Sequence, residues 1–232
     1  MAKQAPEPLA TSLQELAPHG DRDHFVYLWR RTLDGKKVAT GIHVEHLTAL
    51  DGGDFEVTLS EDGGAIGHSR FRDDGTSLLL LSEDLGPQLR LSYDPPLPQL
   101  AVPLYRGQQR STAVATVSRS SDQQSVETLP VTQMTEATVA PPVHAAIGEY
   151  PRAIQIHSVR TLEFPHGPFE LDTTAIMVPG IGEIRSRGKA TGAPVLYREL
   201  ACATIGGKRI GNCRDLRARI KEWERARPAD LP

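Results

Sequence analysis

The chain has 232 residues, 39% of them hydrophobic and 24% charged, with a formal net charge of −3. These values describe an ordinary globular chain, long enough to bury a core without staples, and exclude an intrinsically disordered one. The slight acidity excludes the strong positive balance of a general nucleic-acid binder. No apolar run approaches the about 18 residues of a membrane-spanning helix.

Residues 1–22 read as a flexible lead-in. Met1 to Pro8 has no apolar core, so it is not a secretory signal as written. The protein is cytoplasmic if Met1 is the native start, and periplasmic or envelope-bound if a leader was removed. Leu9, Leu13 and Leu16 are spaced for one short amphipathic helix, which Pro18 and Gly20 stop.

Residues 23–205 read as one antiparallel β domain. The run 24–33 is a strand, and Asp34-Gly35 after it is a strong hairpin signal. Strands follow over 37–50, 55–60, 65–72, 78–81 and 88–93. Between them lie Asp51-Gly52-Gly53, Asp62-Gly63-Gly64, Asp73-Asp74-Gly75 and Gly86-Pro87, which supply the backbone freedom that tight turns need. Phe55, Val57 and Leu59 alternate with Glu56, Thr58 and Ser60, so one face is buried and one is wet. Residues 94–104 carry four prolines, which excludes a central strand and predicts an extended crossover. Strands resume over 112–118, 131–139, 152–161, 168–178, 182–188 and 194–205. In 168–178, Phe169, Leu171, Thr173, Ala175 and Met177 share one face, and Glu170, Asp172 and Thr174 the other.

Residues 206–232 form a C-terminal amphipathic helix and tail. Asn212 is a natural N-cap, and Cys213, Leu216, Ile220 and Trp223 make one apolar stripe that packs across the sheet with Trp223 as anchor. A hairpin at Gly206-Gly207 would bring Cys202 near Cys213. A bridge there would contribute about 2–3 kcal/mol in an oxidising compartment, and two reduced, buried thiols are the alternative. Residues 51–100 hold ten acids against three bases, and 208–227 eight bases against three acids. Two solvated faces of opposite sign account for this, with a docking basic tail as the sharper alternative.

Signals for catalysis are weak. Gly67-His68-Ser69-Arg70-Phe71 lacks the second Gly of a nucleophile elbow, and Gly180-Ile181-Gly182 lacks the third Gly of a dinucleotide fingerprint. His43 and Glu45 share a strand face, but two ligands do not make a metal site, and His68 or His157 would have to supply a third. Surface histidines on a solvated strand face are the expectation. No catalytic residue, metal or cofactor is assigned. The basic residues lack interleaved aromatics, so no specific nucleic-acid partner is expected.

The order of a β-meander, Asp94-Pro95-Pro96-Leu97 to Pro103 and Gly107, Gly148-Glu149-Tyr150-Pro151-Arg152-Ala153, Val178-Pro179-Gly180-Ile181-Gly182-Glu183-Ile184-Arg185 and Tyr197-Arg198-Glu199-Leu200 resembles the DUF3108 and TapB-like families of bacterial envelope proteins. That resemblance covers about residues 25–200. It implies a strongly curved antiparallel sheet, a half-barrel similar to the LolA/LppX lipoprotein-carrier fold, wrapped around helices and open as an apolar cleft. It also implies export. Phe169, Leu171 and Met177, with Ile154 and Ile156, are the candidate lining of the concave face.

The leading expectation is a non-enzymatic envelope protein that binds an apolar small molecule, a lipid or a protein partner on that face. The alternative is a structural subunit of a larger assembly, joined through open sheet edges and the basic helix. The third is a metal-dependent enzyme built on His43 and Glu45. Oligomeric state stays open.

Overall fold

The computed structural model describes residues 6–86, 88–119 and 124–225. Period-two alternation and tight turns give β1 (His24–Leu33), β2 (Lys36–Ala49), β3 (Asp54–Glu61), β4 (Gly64–Asp73), β5 (Ser77–Leu85), β6 (Leu89–Ala101), β7 (Gly107–Arg119) and β8 (Ser125–Ala140) as one uninterrupted meander. At the β1–β2 turn Asp34 and Gly35 both take positive φ, 50° and 74°, as a two-residue hairpin requires. A small hairpin, β9 (Val143–Ala145) and β10 (Gly148–Tyr150), follows. The meander then resumes through β11 (Ala153–Phe164), β12 (Gly167–Val178), β13 (Gly182–Ala190) and β14 (Val195–Ile205), and β15 (Lys208–Gly211) folds back on β14.

The sheet closes. β14 pairs with β1 from His24↔Thr204 to Thr32↔Val195, which makes a 12-strand antiparallel barrel in place of the expected half-barrel. Alternation specifies which face is buried, but not whether the first and last strands meet. Closure also removes the long open edges on which the assembly alternative rested.

The proline segment is a second correction. Residues 94–101 continue β6 inside the wall, with Leu79 opposite Pro98 and Leu80 opposite Leu97. The missing donors are accommodated in two ways. β6 pairs with β7 only from Leu89 to Asp94, and β5 shifts register between Leu80 and Ser82, opposite the prolines.

From Leu9 onward the lead-in is anchored rather than free, and residues 1–5 lie outside the described residues. A short helix, α1 (Leu13–Leu16), buries Leu13 and Leu16. This strap crosses one barrel end. Leu9 N–H donates to Leu104 O (2.6 Å), Gly180 N–H to Glu15 O (2.7 Å), and His19 Nε2 lies 2.9 Å from Asp73. Outside the wall, α2 (Leu216–Arg225) lies near β2. Its Trp223 ring sits 5.0 Å from the Arg30 guanidinium and donates its indole N–H to Glu199. The helix starts three residues later than its apolar stripe predicts. Asn212 instead caps a turn by accepting from Arg214 N–H, and Cys213 is held outside the helix by a disulfide to Cys202.

Inward positions are mainly apolar, while outward positions carry residues such as Glu56, His68 and Arg70. That is the reverse of a lipid-facing barrel wall. Among the described residues no helix is long and apolar enough to cross a membrane.

Candidate functional site

Beneath the strap lies a cavity of about 250 Å³. Its walls follow from alternation on adjacent strands. Phe25 and Tyr27 come from β1, Glu45 and Leu47 from β2, Phe55 and Val57 from β3, and Phe71 from β4. Leu78, Leu100 and Met177 close the far side, and Ala17, Pro18 and His19 form the lid. The His19 ring stacks on Phe55 at 4.7 Å and Phe55 on Phe71 at 5.4 Å, so one wall is a flat aromatic array. Gly182 also lines the space, and a Cβ there would come 3.1 Å from Pro18, so this glycine lets the lid approach β13 closely.

One corner of the chamber is polar. Arg198 reaches Glu45 at 2.6 Å and Glu183 at 3.5 Å, and its guanidinium lies 4.0 Å from the centre of the Tyr27 ring. The Tyr27 hydroxyl donates to Glu183 O at 3.3 Å. Burial pushes the Glu45 carboxyl up from its ordinary range, although Arg198 pulls the other way. Burial, then the Glu45 and Glu183 carboxylates, push the Tyr27 phenol well up. Burial works against the charge of Arg198, but the two carboxylates outweigh it and hold the guanidinium protonated.

A second interior network lies on the opposite wall. Arg160 donates to Glu83, to Tyr93 Oη (3.1 Å), to Gln99 Oε1 (3.1 Å) and to Gln133 Oε1 (3.0 Å). Tyr93 also donates to Glu83, which completes a near-fully satisfied set. Burial, then Glu83, pushes the Tyr93 phenol up.

Of the five residues expected on the apolar face, Met177 lines the chamber. Ile154 and Ile156 are buried beside it, in a cluster with Leu16 of the strap, Leu104 and Ala137. Phe169 lies elsewhere, against the cluster that includes Leu162 and edge-on to Phe164 at 6.5 Å. Leu171 is half-buried opposite Arg160. Asp172 faces outward in a shallow polar hollow with Glu136, Gln155 and Arg187, and pairs with His157 at 2.9 Å.

The candidate ligands His43, His68 and His157 do not converge. His43 is buried inside the barrel, contrary to the surface position expected of it, because its strand position is inward and the sheet closes over it. Its ring stacks on Trp29 at 5.1 Å, and neither of its nitrogens has a hydrogen-bond partner. Burial, then the nearby Arg198 and Arg31 charges, lower its pKa to about 3. His68 instead contacts Glu56, and His157 contacts Asp172. Among the described residues no group of three or more metal-ligating side chains assembles.

Sequence reasoning missed the aromatic half of the chamber and its polar corner. The available signal was Phe25 and Tyr27 alternating on β1, whose inward face also takes Glu45 and Arg198 from the neighbouring strands.

A closed antiparallel barrel with a strapped apolar chamber is the class that this geometry defines. No family model and no curated protein matches the chain. Two solved structures are similar to it. One is a protein inferred to be exported, with a YmcC-like fold, from Bacteroides fragilis, at 13% identity over 79% of this chain and 95% of that one, TM-score 0.47. The other is a protein inferred to be a lipoprotein from Parabacteroides distasonis, at 8% identity over 85% of this chain and 98% of that one, TM-score 0.42.

Proposed function

We propose that this protein is a non-enzymatic carrier or sensor of the cell envelope that holds one apolar chain in the strapped chamber. The chamber itself carries this reading. It is a lined apolar space of about 250 Å³ inside a closed barrel. Interiors normally pack without such voids. The volume is just below the usual range of about 300–1,000 Å³ for small-molecule pockets, so it suits a single chain better than a multi-chain lipid. Ala17, Pro18 and His19 of the strap line one side of the chamber. The Cys202–Cys213 disulfide supports an oxidising compartment, and hence export.

The test is uptake of decanol, followed by native mass spectrometry. The unmodified protein is expected to gain one decanol. Met177→Asp, which places a charge in the wall, and Met177→Trp, which fills the space, are both expected to lose it. Asp172→Asn on the outer face is expected to keep it. Equal uptake by all four forms, with folding checked by circular dichroism, would remove the chamber as the site.

A further inference from the structure

The chamber's polar corner is acidic in balance. Glu45 and Glu183 both line it, and one cation, Arg198, serves both, at 2.6 Å and 3.5 Å. Two carboxylates on one guanidinium leave negative charge in excess beside an apolar space. Ser186 Oγ donates to Glu183 at 2.7 Å but adds no charge. His19, which lines the chamber, is engaged outside the corner, by Asp73 at 2.9 Å and Ala17 O at 2.6 Å. One inward position further along β2 from Glu45, His43 is 1% exposed and has no hydrogen-bond partner on either nitrogen. An incoming carboxylate would face two like charges at the end of a low-dielectric pocket, where such a juxtaposition is strongly unfavourable. A head that donates hydrogen bonds or carries positive charge meets acceptors instead.

We infer that the chamber selects amphiphiles with a cationic or hydrogen-bond-donating head, an alkyl amine over an alkyl carboxylate, and that Glu45 and Glu183 receive the head while the aromatic wall takes the chain. This inference rests on the chamber being the binding site, as proposed above.

The experiment measures decylamine, decanol and decanoate binding by calorimetry at neutral pH and fixed salt, with the full chain. Decylamine is expected to bind about tenfold or more tightly than decanoate, with decanol between them. Glu183→Gln, which leaves Arg198 paired with Glu45, is expected to narrow that gap severalfold, with decanol changing less than decylamine because it carries no charge. Met177→Trp is expected to abolish decylamine binding, which separates the chamber from adhesion to the acidic surface. Decanoate binding as tightly as decylamine, or an unchanged preference in Glu183→Gln, would overturn the head-group assignment while leaving the chamber standing. Failure of all three ligands to bind would remove the chamber reading itself.

Discussion

On the wall formed by β5 to β8 and β11, Leu80, Leu91, Leu97, Leu129, Val131 and Leu162 pack into a dense aliphatic cluster. On the wall formed by β1 to β4, Phe25, Phe55 and Phe71 leave about 250 Å³ unfilled. Branched aliphatic chains interdigitate to crystal-like density, whereas stacked rings make flat surfaces that need a complementary surface opposite. Each wall also has one inward arginine beside it, Arg160 from β11 and Arg198 from β14 next to β1, and the two are balanced differently. Arg160 meets one carboxylate and three neutral acceptors, so its wall is close to neutral. Arg198 meets two carboxylates, so its wall keeps a negative excess. The filled, neutral half thus supports the fold, and the open, acidic half holds the candidate site.

The largest expected effect tests the neutral half. Arg160→Met takes the cation from Glu83 and a donor from Gln99, Gln133 and the Tyr93 hydroxyl, and breaking a buried pair of this kind costs about 3–5 kcal/mol. Glu83 is only about three-quarters buried, so a loss near 3 kcal/mol in urea unfolding is expected, with decanol uptake unchanged. A stable variant with altered uptake would merge the two halves into one unit. The next contrast is between two leucines. Leu129→Ala in the aliphatic cluster is expected to cost about 3–4 kcal/mol, because its neighbours are close-packed. Leu47→Ala already borders the void, so its cost is expected near 2 kcal/mol, with uptake of a longer chain as a gain. Equal costs and equal uptake would erase the distinction.

The sequence made the strands legible and the closure illegible. Each of the twelve barrel strands overlaps a run bounded by signals such as Asp34-Gly35 and Asp62-Gly63, which are local, although β5 to β8 extend well beyond the expected runs. The β14–β1 pairing joins residues about 170 positions apart, and nothing local encodes it. The proline segment misled for a related reason. Pro95 and Pro96 remove ladder donors, but a strand whose partner shifts register tolerates that loss, and no glycine or proline in β5 marks the shift. Met177, Ile154 and Ile156 were legible as inward and apolar, and only Met177 meets the void. Glu45, Glu183 and Arg198 were hidden, because a charged residue at an inward position reads as solvated until its partner from another strand is known. Asp54 illustrates the same point. It falls within the acidic stretch read as a wet face, yet it is buried beneath Arg70 and Arg72 at 2.6 Å and 2.7 Å. Hydrogen bonds from Arg72, then from Arg70, hold its carboxyl below the ordinary range despite its burial.

The smallest expected effect concerns pH and the open half. His43 faces Trp29, Glu61 at 3.6 Å, and the Arg198 and Arg31 charges. Its pKa falls from 6.5 to about 3 on folding, with burial as the main cause. Between those values the unfolded chain binds a proton that the folded chain does not. Stability is therefore fully present above pH 6.5 and is lost as pH falls toward 3. From pH 7.5 to pH 4.5 this group alone removes about 2–3 kcal/mol. Glu45, whose pKa is raised on folding, acts in the opposite sense and gains stability as pH falls, so the wild-type slope is a sum. His43→Phe isolates the histidine, because it keeps a ring against Trp29 and removes the titration. Urea unfolding at the two pH values is expected to show the variant losing about 2 kcal/mol less than the wild type on acidification. Parallel losses in the two proteins would mean that His43 reaches solvent or a protonated partner in the folded state. The open half would then admit water as deep as Trp29, and its acidic corner would be screened rather than selective.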